Sequence, residues 1–210
     1  MPRSDYSLYD SSGHRKYLTE EEVTRYVKAI EPALSRRDID EERKSLALLL
    51  AATGCRLGEA LTVRYRDIEL VTVSHPDGQE EDGVDITFNT LKRRKQHHRV
   101  VTAGHKMRSM LMGHNRLTNR KSETPDALIW GISKPTAFRT VQLVMQEAGI
   151  TGSYANARGL RHAYIVRNVL KGIPPYDIAR WAGWSSIAML QIYADLQGNE
   201  RRALALSAGL

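Results

Sequence analysis

Ala157-Arg158-Gly159-Leu160-Arg161-His162 is followed by Gly183-Trp184-Ser185-Ser186 and then by Ile192-Tyr193-Ala194. Arg158 and Arg161 are three residues apart, so in a helix both project from one face while Ile165 and Val169 continue toward a core. Tyr193 falls near the end of a further expected helix, opened by Ser185 or Ser186 as N-cap. Upstream, Thr53-Gly54-Cys55-Arg56-Leu57-Gly58-Glu59-Ala60-Leu61 adds a third Arg just past a helix end, where Gly54 allows a sharp turn. Glu59, three residues after Arg56, is within reach to hold that guanidinium through a charge-assisted hydrogen bond. A set of cations around one Tyr suits a reaction in which a phenol attacks a phosphodiester.

Outward from these segments the pattern is mostly helical. Thr19-Glu20-Glu21-Glu22 reads as a capping box, and the helix it opens carries Val23, Tyr26, Val27, Ile30 and Leu34 on one face. A second helix over about 40–53 contains Ser45-Leu46-Ala47-Leu48-Leu49-Leu50-Ala51-Ala52, apolar all round, as a central helix buried on every side requires. A short helix at 57–61 precedes three strand-like runs, 68–74, 84–89 and 98–102, with Pro76-Asp77-Gly78 making the first turn. Helical signal returns at 106–117, 135–148, 154–171, 175–182 and 186–194, and weakly over 199–210. Residues 1–16 are polar and read as a flexible arm, leaving 17–210 as one domain. Its class is α+β, mainly α, with a small three-stranded antiparallel sheet.

At 210 residues the chain can bury one good core. Its 31 Lys+Arg against 24 Asp+Glu give a net charge of +7, which suits a polyanionic partner because these cations displace counterions condensed on phosphates. One cysteine, Cys55, excludes an internal disulfide and a cysteine-based zinc site. The start lacks the apolar core of a signal peptide, and the longest apolar run, Leu46 to Ala52, is far too short to span a membrane. The expected location is the cytoplasm, at the nucleoid.

A phosphodiester under attack passes to a phosphorane bearing nearly two negative charges. Arg forks grip both non-bridging oxygens and stay protonated. Neighbouring cations also favour the phenolate. The leaving 5′ oxygen needs a proton, and Thr90-Leu91-Lys92-Arg93-Arg94-Lys95-Gln96-His97-His98-Arg99 offers a basic hairpin to supply it. Lys92 is the first candidate for that proton and Lys95 the reserve, with Arg93, Arg94, Lys95 and Arg99 as DNA-binding cations.

Residue types and spacings together resemble the catalytic domain of tyrosine recombinases, the phage-integrase family, over about residues 17–196. The family's first Arg lies in a TGxRxxE-type turn, matched by Arg56 and Glu59, and its Lys lies at the β2–β3 hairpin, matched by Lys92. Its HxLRH box reads here as Arg158-Gly159-Leu160-Arg161-His162, so Arg161 matches the second Arg and Arg158 takes the first His position. Its GHSS segment, whose His is sometimes Trp, is Gly183-Trp184-Ser185-Ser186, with Trp184 standing 23 residues after Arg161. Tyr193, nine residues further, matches the nucleophile. Arg at position 158 cannot act as a base because it stays protonated. Trp184 can donate its N–H to phosphate but cannot transfer a proton. His162 would support the helix face beside Arg161.

The resemblance implies site-specific recombination through a 3′-phosphotyrosyl link, without metal, ATP or other cofactor. It also implies double-stranded DNA as partner and a homotetramer on DNA built from protomers that are monomers in solution. An accessory DNA-binding protein stays open. Most members carry a further N-terminal helical domain, so the expectation here is a solo-domain form, similar in size to the fimbrial phase-variation invertases, or an excised fragment. Two alternatives remain: DNA relaxation like that of a type IB topoisomerase, and a DNA-binding regulator that has lost the chemistry.

Overall fold

The structure is a computed structural model that describes residues 8–35, 41–89, 98–113, 115–194, 202 and 205–206. Helix α1 (Glu20–Leu34) starts where the capping box placed it. The Thr19 hydroxyl accepts from Glu22 N at 3.3 Å, and the Glu22 carboxylate accepts from Thr19 N at 2.9 Å. Val23, Tyr26, Ile30 and Leu34 are buried along one side, as their spacing requires. Helix α2 (Glu41–Thr53) runs through the centre, with every residue from Leu46 to Ala51 buried. It packs against α1 and against four later helices, which explains a sequence without a polar face. Its Ser45 hydroxyl accepts the indole N–H of buried Trp130 at 3.0 Å, so the largest core side chain leaves no polar group unsatisfied.

After the short helix α3 (Leu57–Ala60), strands β1 (Ile68–Ser74), β2 (Glu80–Asn89) and β3 (His98–Gly104) form an antiparallel sheet in that order. The register pairs Ile68 with Ile86 and Ile86 with Val101. These residues, with Val84, Phe88 and Ala103, line the buried face. Strand β2 begins at Glu80 rather than Val84, because Glu80 to Asp82 pair through their backbone with Val73 and its neighbours in an exposed ribbon that needs no apolar side chains.

The helix expected over 106–117 is two, α4 (His105–Gly113) and α5 (Leu117–Glu123), broken where Arg116 takes a left-handed φ of 48°. Helix α6 (Lys134–Glu147) is capped by Ser133. Helix α7 (Ala157–Leu170) starts later than Tyr154 because Asn156 caps it, its side-chain oxygen accepting from Arg158 N and Gly159 N at 2.9 and 3.1 Å. Helix α8 (Pro175–Ala182) ends at Gly183. The expected helix over 186–194 is a 3-10 turn (Ile187–Leu190), capped by Ser186, followed by the short α9 (Gln191–Ala194).

Residues 8–16, read as part of a flexible arm, are instead folded onto the domain. Leu8 is buried, Tyr9 bridges Arg15, and Arg15 pairs with Glu22 at 2.5 Å. The polar composition hid one anchor, Leu8, which joins Tyr17, Tyr164, Ile165, Ile178 and Tyr193 in a second apolar cluster. Residues 1–7 and most of the tail over 199–210 lie outside the described residues.

Candidate active site

Gly54 ends α2 with φ 58°, and a Cβ there would sit 2.7 Å from the Tyr164 ring, so only glycine turns the chain this tightly against α7. Two residues on, Arg56 opens α3. Its backbone N–H donates to Glu59 Oε2 at 3.0 Å and its Nη1 to Glu59 Oε1 at 2.8 Å. The Arg56 side chain is 42% exposed while that of Glu59 is 2% exposed, so a buried carboxylate holds a cation that faces outward. Burial pushes the Glu59 carboxyl up, but the hydrogen bond and charge of Arg99, with those of Arg56, overcome it and hold the group below its ordinary range.

Arg161 points from α7 into the angle between the α2–α3 turn and the end of α8. Its Nη1 donates to Gly54 O at 2.8 Å and its Nη2 to Ala182 O at 2.6 Å. Burial, with the charges of Arg56 and Arg99, lowers it to about 10, and Glu59 opposes that shift. It therefore stays charged at neutral pH. Its guanidinium carbon stands 6.0 Å from the Trp184 ring. Trp184 follows Gly183, whose φ of 66° reverses the chain at the end of α8. The indole and the Tyr193 phenol are 5.8 Å apart between ring centres.

Tyr193 is 2% exposed, and its hydroxyl lies 2.8 Å from His162 Nδ1. Burial pushes the phenol up, against the opposing charges of Arg161 and Arg158. Burial also lowers His162 to about 4, aided by the charges of Arg158 and Arg161. At neutral pH the pair is thus a phenol beside an uncharged imidazole. Arg158, one turn before His162, is exposed and acts on the pair through its charge.

Arg56, Glu59, Arg161, His162, Trp184 and Tyr193 therefore come from four separate segments to one site, with Arg158 at its rim. Lys92, Arg93, Arg94 and Lys95 lie outside the described residues. Arg99 departs from expectation: grouped with the DNA-binding cations, it is instead 6% exposed, with Nη2 donating to Glu59 Oε2 at 2.7 Å. The strand alternation explains this, because Arg99 shares its face with buried Val101 and Ala103. That period was the available signal for its inward role.

The model of the phage integrase family matches residues 16–200. Among solved structures, the chain is similar to the XerH site-specific recombinase in a pre-cleavage complex with difH substrate, at TM-score 0.70 and 16% identity over 90% of this chain and 56% of that one. It is similar to XerA recombinase at TM-score 0.67 and 21% identity, over 99% and 66%. The catalytic domain of bacteriophage HP1 integrase matches at TM-score 0.55 and 16% identity, over 90% and 93%. The chain thus spans between 56% and 66% of the two recombinase chains, but nearly all of the isolated catalytic domain. No curated protein matches it by sequence. A family match across that span, on residues that the fold gathers into one site, makes the chain a member of the phage integrase family.

Proposed function

We propose that this chain breaks and rejoins DNA in site-specific recombination. The observation that carries the reading is the convergence of two guanidiniums, Arg56 and Arg161, with Trp184 and the Tyr193 phenol. Tyr193 Oη attacks the scissile phosphorus and the bond to the 5′ oxygen breaks, leaving a 3′-phosphotyrosyl link and a free 5′-hydroxyl. Arg56 and Arg161 stabilise the phosphorane, and Trp184 donates its indole N–H to a non-bridging oxygen. Lys92, or Lys95 in its stead, gives the leaving oxygen its proton.

The phenol must lose a proton as it attacks. Arg158 cannot take it, whereas His162 is uncharged and already hydrogen-bonded to the phenol. Burial first, and then the charges of Arg158 and Arg161, weaken this imidazole as a base, and a phosphodiester entering beside Arg161 would offset the second of these. Rejoining reverses the step with the 5′-hydroxyl of a partner strand, so the link itself conserves the phosphodiester energy and no cofactor is called on.

Recombination joins two duplexes at four cleavage centres, which calls for a homotetramer on DNA. No helix among the described residues is long and apolar enough to cross a membrane. Acting on DNA would place the protein in the cytoplasm, at the nucleoid.

Covalent capture tests the reading. Duplexes with a 5′-bridging phosphorothiolate and randomised flanks are incubated with the protein, and denaturant-resistant adducts are sequenced. The expected result is a defined sequence attached through Tyr193. Relaxation of supercoiled plasmid without recombinant products would favour a topoisomerase, and DNA binding without adduct a regulator.

A further inference from the structure

Arg99 is the charged side chain on the buried face of β3, and three structural segments meet at its guanidinium. Nη2 donates to Glu59 Oε2 at 2.7 Å, and Nε donates to Trp181 O near the end of α8 at 2.7 Å. The guanidinium carbon stands 4.9 Å from the Phe88 ring on β2. A Cβ added at Gly183 would lie 3.0 Å from Nη1 and 3.2 Å from Cζ, so the guanidinium fills the space beside the turn that leads into Trp184.

We infer that Arg99 is a positioning residue for strand cleavage, fixing the Glu59 carboxylate, and through it the Arg56 fork, relative to the α8 end from which Trp184 emerges. The inference rests on the reading of the chain as a DNA-cleaving enzyme. Its logic lies in the order of burial: Arg99 and Glu59 side chains are 4% and 2% exposed, while Arg56 is 42% exposed. Glu59 accepts from Arg56 Nη1 at one oxygen and from Arg56 N and Arg99 Nη2 at the other. With Arg99 in place the carboxylate has one orientation. Without it, one oxygen loses its side-chain donor and the carboxylate can turn, taking the Arg56 fork with it.

Stability alone is a poor reason for such a pair, since apolar residues of similar volume often serve a core as well or better. A lysine is a poor substitute for geometry, because its single ammonium cannot donate to Glu59 and Trp181 in the directions that Nη2 and Nε do. Displacement of a phosphate-gripping group by an ångström lowers rates on the order of a hundredfold without requiring a loss of binding.

The test uses Arg99→Lys and Arg99→Met, each verified as folded by thermal melting, on a captured target duplex with either a normal or a 5′-bridging phosphorothiolate linkage. A thiolate leaves without a proton donor, so the second substrate repairs defects in leaving-group protonation and not defects in phosphorane stabilisation. The expected result is single-turnover cleavage slowed at least about tenfold on both substrates, with the DNA dissociation constant within about twofold of wild type. Combined with Glu59→Gln, Arg99→Lys should slow the reaction no further, because both act through one carboxylate. Should Arg99→Met not fold, Arg99→Lys alone decides. A folded Arg99→Lys cleaving at the wild-type rate overturns the inference, as does repair by the phosphorothiolate or a multiplicative loss with Glu59→Gln. Wild-type protein that forms no adduct on any duplex overturns the cleavage reading itself, and the role of Arg99 with it.

Discussion

Tyr193 Oη and His162 Nδ1 share a hydrogen bond of 2.8 Å inside an apolar cluster that also holds Leu8, Tyr17 and Ile178. The expected nucleophile is thereby kept protonated and away from solvent. For attack on DNA, its hydroxyl has to meet a phosphate held by Arg56 and Arg161. Burial raises the phenol and lowers the imidazole, while the charges of Arg158 and Arg161 oppose the first shift and add to the second.

Replacing Tyr193 by Phe removes the attacking oxygen alone. Covalent adduct should vanish while the DNA dissociation constant stays near wild type. Loss of the hydrogen bond to His162 should cost about 1 kcal/mol in a denaturant titration. An adduct surviving in Tyr193→Phe would move the nucleophile elsewhere.

Stability should depend on His162 in a definite pH window. Its folded value of about 4 lies below the ordinary 6.5, so the unfolded chain takes up the proton first as pH falls. The stability that the neutral imidazole confers is complete above pH 6.5 and is lost on descent toward pH 4. The loss is on the order of 3 kcal/mol. Urea midpoints measured from pH 7 to pH 4 should fall less steeply for His162→Gln than for wild type. Parallel profiles would show that the imidazole is not held neutral by the fold.

The three guanidiniums should rank unequally. Arg56→Ala and Arg161→Ala should each slow cleavage by about 10²–10³, through loss of charge on the phosphorane. Arg158→Ala should cost less, since Arg158 is exposed and stands in the position where the family pattern has a His. Single-turnover rates on a captured duplex measure all three, and an equal loss at Arg158 would reverse the ranking.

Gly183→Ala should harm both fold and chemistry. The left-handed backbone alone should cost about 1–2 kcal/mol. The new methyl also meets Arg99 Nη1 at 3.0 Å, so the guanidinium has to shift. Melting temperature and cleavage rate should fall together, whereas at Gly149, where nothing lies within 4 Å of an added Cβ, alanine should lower the melting temperature alone.

DNA binding should weaken steeply with salt, on the order of a hundredfold or more between 50 and 200 mM, because a net charge of +7 acts mainly on phosphates. Deleting 199–210 should impair recombination far more than single-site binding, if that segment docks on a neighbouring protomer as the tetramer requires. Half-site cleavage by the truncated protein, compared with recombination between two sites, separates the two steps.

The amino-acid sequence by itself determined the helical framework, the family and the identity of the gathered residues. Three of those features are local: a capping box at Thr19, an apolar run in α2 and a glycine before Arg56, each written in neighbours a few residues apart, where backbone geometry links spacing to direction. The offsets from Arg161 to Trp184, 23 residues on, and to Tyr193, nine further, are longer and were legible as a family spacing. Three further matters were decided by the tertiary structure. Leu8 anchors a polar-looking arm because Tyr17 and apolar partners on α7 and α8 await it. Tyr193 turns inward to His162, a pairing between residues 31 apart in the chain. Arg99 serves Glu59 instead of facing outward, although its alternation with Val101 and Ala103 pointed inward. Burial of a charge depends on which distant carboxylate and carbonyl are brought to meet it, and only the packing of β3 against α3 and α8 supplies them.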